Sequence, residues 1–157
     1  MLNSVLWSKN IINRTKQLIY KSILESIMLY GSEVWTITHQ HANRLTAVEM
    51  DFWRRAARKS RIEKIRNTEI RKWMNAEKTI MHEIEHRRLK WYGHVRRMQD
   101  TRIPKAVHTW EIERRSRKGR PRIMWKHNIQ QSMRKFGVTD QDTEDRIRWK
   151  TLIKGNF

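Results

Sequence analysis

Cysteine is absent from all 157 residues. That excludes disulfides, thiolate zinc sites and a cysteine nucleophile, and it leaves the compartment open. Proline occurs twice and glycine five times, and no Gly-rich phosphate loop exists among them. No apolar run approaches the ~20 residues of a membrane span. The first residues lack the charged start and apolar stretch of a signal peptide. These absences predict a soluble, intracellular protein with no membrane partner. Acidic residues are scarce as well, 16 against 35 Lys plus Arg.

The resulting net charge of +19 is unevenly placed. Residues 51–135 hold 26 basic and 9 acidic residues, a balance of +17. The first 50 residues balance at +2 and the last 22 at zero. So dense a basic block attracts a polyanion, and counterion release makes RNA or DNA the expected partner. A solvated basic face with no specific partner is the competing reading. No small-molecule substrate and no cofactor are expected. Only 38% of residues are hydrophobic and 32% are charged, which predicts a thin core and loose packing.

Periodicity predicts an all-α chain of six or seven helices, with a basic linker before the last two. Leu18, Ile19, Ile23, Ile27 and Tyr30 recur at helical steps from Asn13 to Tyr30, with Asn13 as cap and Gly31 as stop. Ser32 to Ile37 reads as a short connection. Thr38 can cap a second helix to about Lys59, with Leu45, Val48, Phe52, Trp53 and Ala56 on one face. A short helix follows from Asn67 to Met74. The next runs from about Glu77 to Met98, with Ile80, Ile84, Leu89, Trp91, Val95 and Met98 as its stripe. Gly93 inside it costs ~1 kcal/mol against alanine, which points to close packing or a bend. Pro104 opens a helix to about Glu113. Pro121 to Phe136 forms another, ended by Gly137, and Thr139 starts the last, with Ile147, Trp149, Leu152 and Ile153 as its apolar residues. The expected division is a helical region over 1–113, a linker over 114–122 and a helical pair over 123–157.

Motifs for catalysis are thin. His82-Glu-Ile-Glu-His86 matches the zinc-protease pattern formally, since two His at i and i+4 share a helical face with Glu83 as base. His94 stands at the wrong spacing for a third ligand, and a solvated, charge-paired helix face is the better reading. No triad can be assembled. Six Trp from Trp35 to Trp125 recur at intervals of 15 to 20 residues, but their flanks differ, so one anchor per helix is preferred to a repeat. Asp140, Asp142, Glu144 and Asp145 read as charge at a helix N-terminus.

The binding candidates are basic. Arg54, Arg55 and Arg58 crowd the end of the second helix, and Arg87, Arg88, Arg96 and Arg97 crowd the fourth. Trp91 and Tyr92 lie among the latter, and aromatics interleaved with cations can stack on unpaired bases. Core packing is the competing reading for both rings. Lys118, Arg120 and Arg122 lie in Lys-Gly-Arg-Pro-Arg, which resembles an AT-hook core. A flexible linker touching phosphates is preferred to minor-groove reading.

Four ordered segments also resemble a known family. Leu29-Tyr-Gly-Ser-Glu-Val-Trp35 is similar to LYGSE-x-W. Arg87 to Met98 resembles RRL-x-W-x-GH-x-x-RM. Lys118 to Trp125 resembles RGRPR-x-x-W, and Asp145-Arg146 with Trp149 matches D-R-x-x-W. Together they resemble the carboxy-terminal region of non-LTR, LINE-like (RTE-type) retrotransposon endonuclease–reverse transcriptases, a region that also occurs in host proteins of the craniofacial development protein 2-like group. The resemblance covers about residues 15–150. It implies descent from an RNA-directed DNA polymerase and a thumb-like region that grips template and primer, and with that a nuclear location. It does not imply polymerase activity. The palm's Asp-Asp motif has no counterpart, since no two Asp are adjacent, and the endonuclease domain is missing. The expected product is a catalytically silent fragment of a decayed element, with Met1 opening its reading frame. A domesticated helical protein–protein interaction module is the alternative.

Overall fold

The computed structural model of the chain describes residues 2–110 and 123–154. Every regular element among them is helical. In chain order they are α1 (Leu2–Trp7), α2 (Asn13–Ile19), a π-helical stretch (Tyr20–Glu25), α3 (Ser26–Met28), α4 (His39–Ala56), α5 (Asn67–Met74), α6 (Ile80–Arg96), α7 (Ile103–Thr109), α8 (Trp125–Phe136) and α9 (Arg146–Lys154). Short 3₁₀ turns stand at Ser32–Val34, Arg61–Glu63 and Gln141–Thr143. The all-α expectation holds. Among the described residues no helix is long and apolar enough to cross a membrane.

The chain divides into two compact units, and not at the basic linker. The first comprises the described parts of 1–31 and 38–83, the second those of 32–37 and 84–157. The boundary falls inside α6, whose first turn belongs to the first unit and whose remainder belongs to the second. A continuous periodicity carries no mark of such a change in packing partner.

In the first unit, Leu6, Tyr20, Met50, Phe52, Trp53, Ile70 and Met74 form the core. Tyr20 and Trp53 stack at 4.4 Å between ring centroids, and Phe52 meets Trp53 edge-on at 5.1 Å. Such pairs add ~0.5–1.5 kcal/mol each to the burial of their area. Glu49 is wholly buried beside them. Arg71 donates to both its carboxylate oxygens at 3.0 and 2.7 Å, and Ile80 N donates to Oε1 at 3.2 Å. These bonds compensate the large cost of burying a carboxylate. Thr38 caps α4 as expected, accepting from His41 N at 3.3 Å.

The second unit is built on α6, α8 and α9, with Leu89, Tyr92, Ile129, Met133, Phe136, Trp149 and Ile153 in its core. The Trp149 indole lies across Gly93, and its Nε1 donates to Leu89 O at 3.1 Å. A Cβ at residue 93 would stand 2.7 Å from Trp149 Cδ1 and 2.9 Å from Cε2, closer than real contacts allow. Gly93 therefore marks close packing and not a bend. Asp145 Oδ1 accepts from Ile147 N at 2.7 Å and Arg148 N at 3.2 Å, capping α9. Residues 32–37 are strapped onto α8. The Asn128 amide bonds both Ile37 N (2.8 Å) and Ile37 O (3.0 Å), and Trp125 Nε1 donates to Glu33 O at 2.8 Å.

Several sequence expectations need correction. Asn13 is the first residue of α2 and no cap, since Ile12 holds the capping position without a side-chain bond. The stripe of Leu18, Ile23, Ile27 and Tyr30 faces outward, with Tyr30 84% exposed. The π-helical stretch explains it. One wide turn changes the phase of everything after it, so Lys16, Tyr20 and Leu29 take the inner positions instead. Val48 is exposed, and its neighbour Glu49 is buried in its stead. α7 ends at Thr109, and α8 begins at Trp125. Thr139 does not start the last helix. It donates to Asp142 from N and Oγ1 at 2.9 and 2.7 Å, and α9 begins only at Arg146. Ile147 is exposed on α9 while Trp149 and Ile153 are buried. Gly31 and Gly137 do adopt positive φ (64° and 65°) after their helices, as glycine permits and other residues resist.

Candidate nucleic-acid interface

The first basic surface grows from the end of α4. Lys59 N bonds Arg54 O at 2.9 Å and Arg58 N bonds Arg55 O at 3.0 Å, which closes the last turn as a Schellman motif. Arg58 takes the left-handed position with φ 57°, and Lys64 takes another a few residues on with φ 49°. Both are positions where glycine is cheaper. Arg55, Arg58, Arg61, Lys64 and Arg66 are all exposed here. Asp51 pairs with Arg55 at 2.7 Å and Arg61 at 2.9 Å, and Glu63 pairs with Lys59 at 2.9 Å. The cations outnumber those carboxylates. They also stand at a helix C-terminus, whose dipole favours positive charge.

Arg54 is turned to a structural task. Its Nη2 donates to Ile65 O at 2.6 Å and Asn67 Oδ1 at 2.8 Å, tying the basic loop to α4. Lys16, which carried no signal in sequence, is buried beneath the same turn. Its Nζ donates to Ala56 O at 2.9 Å, satisfying an orphan carbonyl at the helix end. Burial, helped by the nearby Arg58 charge, lowers its pKa below the ordinary lysine value.

The α6 candidates separate into two groups. Arg88 is only 3% exposed and reaches Trp35 O and Ser132 Oγ at 3.4 and 3.5 Å. Burial pushes its pKa down, against the opposing pull of Glu85. It is a core group and no surface cation. Tyr92 is also in the core, and its hydroxyl donates to Asp140 Oδ1. Burial and that bond hold its pKa above the ordinary tyrosine range. Arg97 donates to Thr143 O at 2.6 Å, and burial followed by the Arg146 charge lowers its pKa. The helical period accounts for all three corrections: Arg88, Tyr92 and Val95 share the inner face. Arg87, Trp91 and Arg96 are half-exposed on the other side.

Trp91 opens onto an apolar cleft of about 670 Å³ in the second unit. Trp110, Trp125, Val107 and His108 line it with Trp91, and Lys126 stands among them. Trp110 is 70% exposed. Burial lowers the His108 pKa first, and the charges of Lys126, Arg96 and Lys105 lower it further, against Asp140. The imidazole is thus a neutral ring in a positive field. The sequence named Trp91 alone of these rings. The cleft escaped because its walls come from separate segments, although Trp110 and Trp125 flank the most basic run.

Lys118, Arg120 and Arg122 lie outside the described residues. Among the described residues no group of three or more His, Asp or Glu stands where it could hold a metal ion. No family model, curated protein or solved structure matches this chain.

Proposed function

We propose that this chain is a nucleic-acid-binding region of LINE-like reverse-transcriptase descent, carrying no polymerase or endonuclease centre within these residues. It binds RNA or DNA through phosphates, with little sequence preference, in the nucleus. The observation that carries this reading is the exposed basic turn after α4, where Arg58 and Lys64 occupy left-handed backbone. Cations held at strained positions fit a surface kept for a polyanion. Arg55, Arg58, Arg87 and Arg96 are the phosphate contacts that this reading retains among the described residues. Lys118, Arg120 and Arg122 remain contacts on sequence grounds. The descent rests on the four motifs. Three of their residues have clear packing roles here: Gly93 and Trp149 fill one another, and Asp145 caps the last helix.

A filter-binding titration of the full chain at several salt concentrations tests the reading. Phosphate-led binding weakens steeply and log-linearly with salt. A flat response, or no binding at low salt, defeats it. The outward stripe of Leu18, Ile23, Ile27 and Tyr30 favours a second reading, a helical protein–protein interaction module. Size-exclusion chromatography after nuclease treatment separates the two, because a protein complex survives the nuclease.

A further inference from the structure

We infer that the tryptophan cleft of the second unit takes one unpaired nucleobase of a single-stranded RNA or DNA. This rests on the binding reading above and adds to it a preference for single strands. Three features of the cleft carry it. Its walls present three indoles, Trp91, Trp110 and Trp125, with the His108 ring beside Trp125 at 5.9 Å between centroids. Trp125 is fixed by its bond to Glu33 O and Trp91 is half-buried in α6, so two indoles are already positioned. Ordered rings stack a base without a further ordering cost.

The second feature is size. A cleft of about 670 Å³ lies within the ~300–1,000 Å³ of small-ligand sites, roomy enough for one base with its sugar outside. A duplex keeps its bases paired and presents none of them to such a recess.

The third feature is charge. Lys126 is in the lining, and Arg96, Lys105 and Lys126 all act on His108 at close range. Lys105 is held over the end of α6, its Nζ donating to Arg96 O at 2.5 Å. An apolar recess with cations around it suits an aromatic group carried on a phosphate chain. It suits a neutral aliphatic side chain less well, because such a side chain gains nothing from the cations.

The probe is a homopolymeric uridine strand, with an abasic strand of equal length and a duplex of equal length as comparisons. Trp110→Ala removes the most exposed ring, and Trp110→Phe keeps a stacking surface. The expected result is that Trp110→Ala weakens the intact strand about tenfold, the scale of one stacked base. The abasic strand and the duplex should bind the variant as they bind the parent, and Trp110→Phe should recover most of the loss. Equal effects on intact and abasic strands, or no effect on either, overturn the cleft assignment while salt-sensitive binding leaves the phosphate reading standing. A variant that loses self-association in sedimentation and keeps full strand affinity also overturns it, by making the cleft a protein contact. Failure of the parent chain to bind any of the three probes overturns both.

Discussion

Replacing Gly93 by alanine drives a methyl group into the Trp149 indole. The new carbon would stand 2.7 and 2.9 Å from two ring atoms, and closer still to Nε1. Alanine gains ~1 kcal/mol over glycine inside a helix. Overpacking a core costs ~1–3 kcal/mol. The indole, buried at 2% exposure, must shift and break its 3.1 Å bond to Leu89 O, and an orphaned buried donor costs ~1–3 kcal/mol. The net loss is about 3 kcal/mol. At a urea slope of ~2 kcal/mol/M the midpoint falls by about 1.5 M. Urea unfolding followed by tryptophan fluorescence and far-ultraviolet circular dichroism reads it. A second arm isolates the cause. In a Trp149→Leu background the methyl has room, so Gly93→Ala costs far less there, and the coupling exceeds ~1 kcal/mol. An unchanged midpoint, or one raised by the helix preference alone, refutes the packing of these two motif residues against each other.

Glu49→Gln leaves Arg71 without its buried partner and lowers stability by ~3–5 kcal/mol in the same urea assay; a loss under 1 kcal/mol argues that the pair is solvated. Arg58→Gly relieves a left-handed residue, so thermal unfolding holds or improves while the slope of log affinity against log salt flattens by ~0.9. A lower melting point with an unchanged slope contradicts both halves. His108 has a folded pKa below its unfolded value of about 6.5, chiefly through burial. The folded state therefore favours the neutral ring, with its stability fully present above pH ~6.5 and lost as pH falls through the lower folded value. His108→Phe flattens that acid limb, and a His108 resonance titrating at or above 6.5 by NMR denies the burial.

Local features were legible from sequence because local chemistry sets them. The Thr38 cap, the Gly137 stop and the close approach at Gly93 each follow from one residue and its neighbours. The helical class followed from periodicity alone. What failed was every inference that assumed an undisturbed period or a uniform role for charge. The π-helical stretch at Tyr20–Glu25 turned an expected core stripe outward, and no residue in it announces a wide turn. Charged residues were read as surface, yet Lys16, Glu49 and Arg88 are buried. Each is buried with partners far along the chain, such as Ala56 for Lys16 and Arg71 for Glu49. Of the candidate contacts, Arg55 and Arg58 are exposed as charge density suggested. Arg88 and Tyr92 went inside because α6 buries the face between its exposed cations.

The salt dependence of strand binding for the full chain, beside an Arg58→Gln/Arg87→Gln/Arg96→Gln variant, tests the central claim most directly. The account predicts a steep linear fall of log affinity with log salt in the parent and a slope shallower by about 2–3 in the variant, at ~0.7–0.9 per lost phosphate contact. A variant with the parent's slope and affinity would contradict the assignment of phosphate binding to these surfaces.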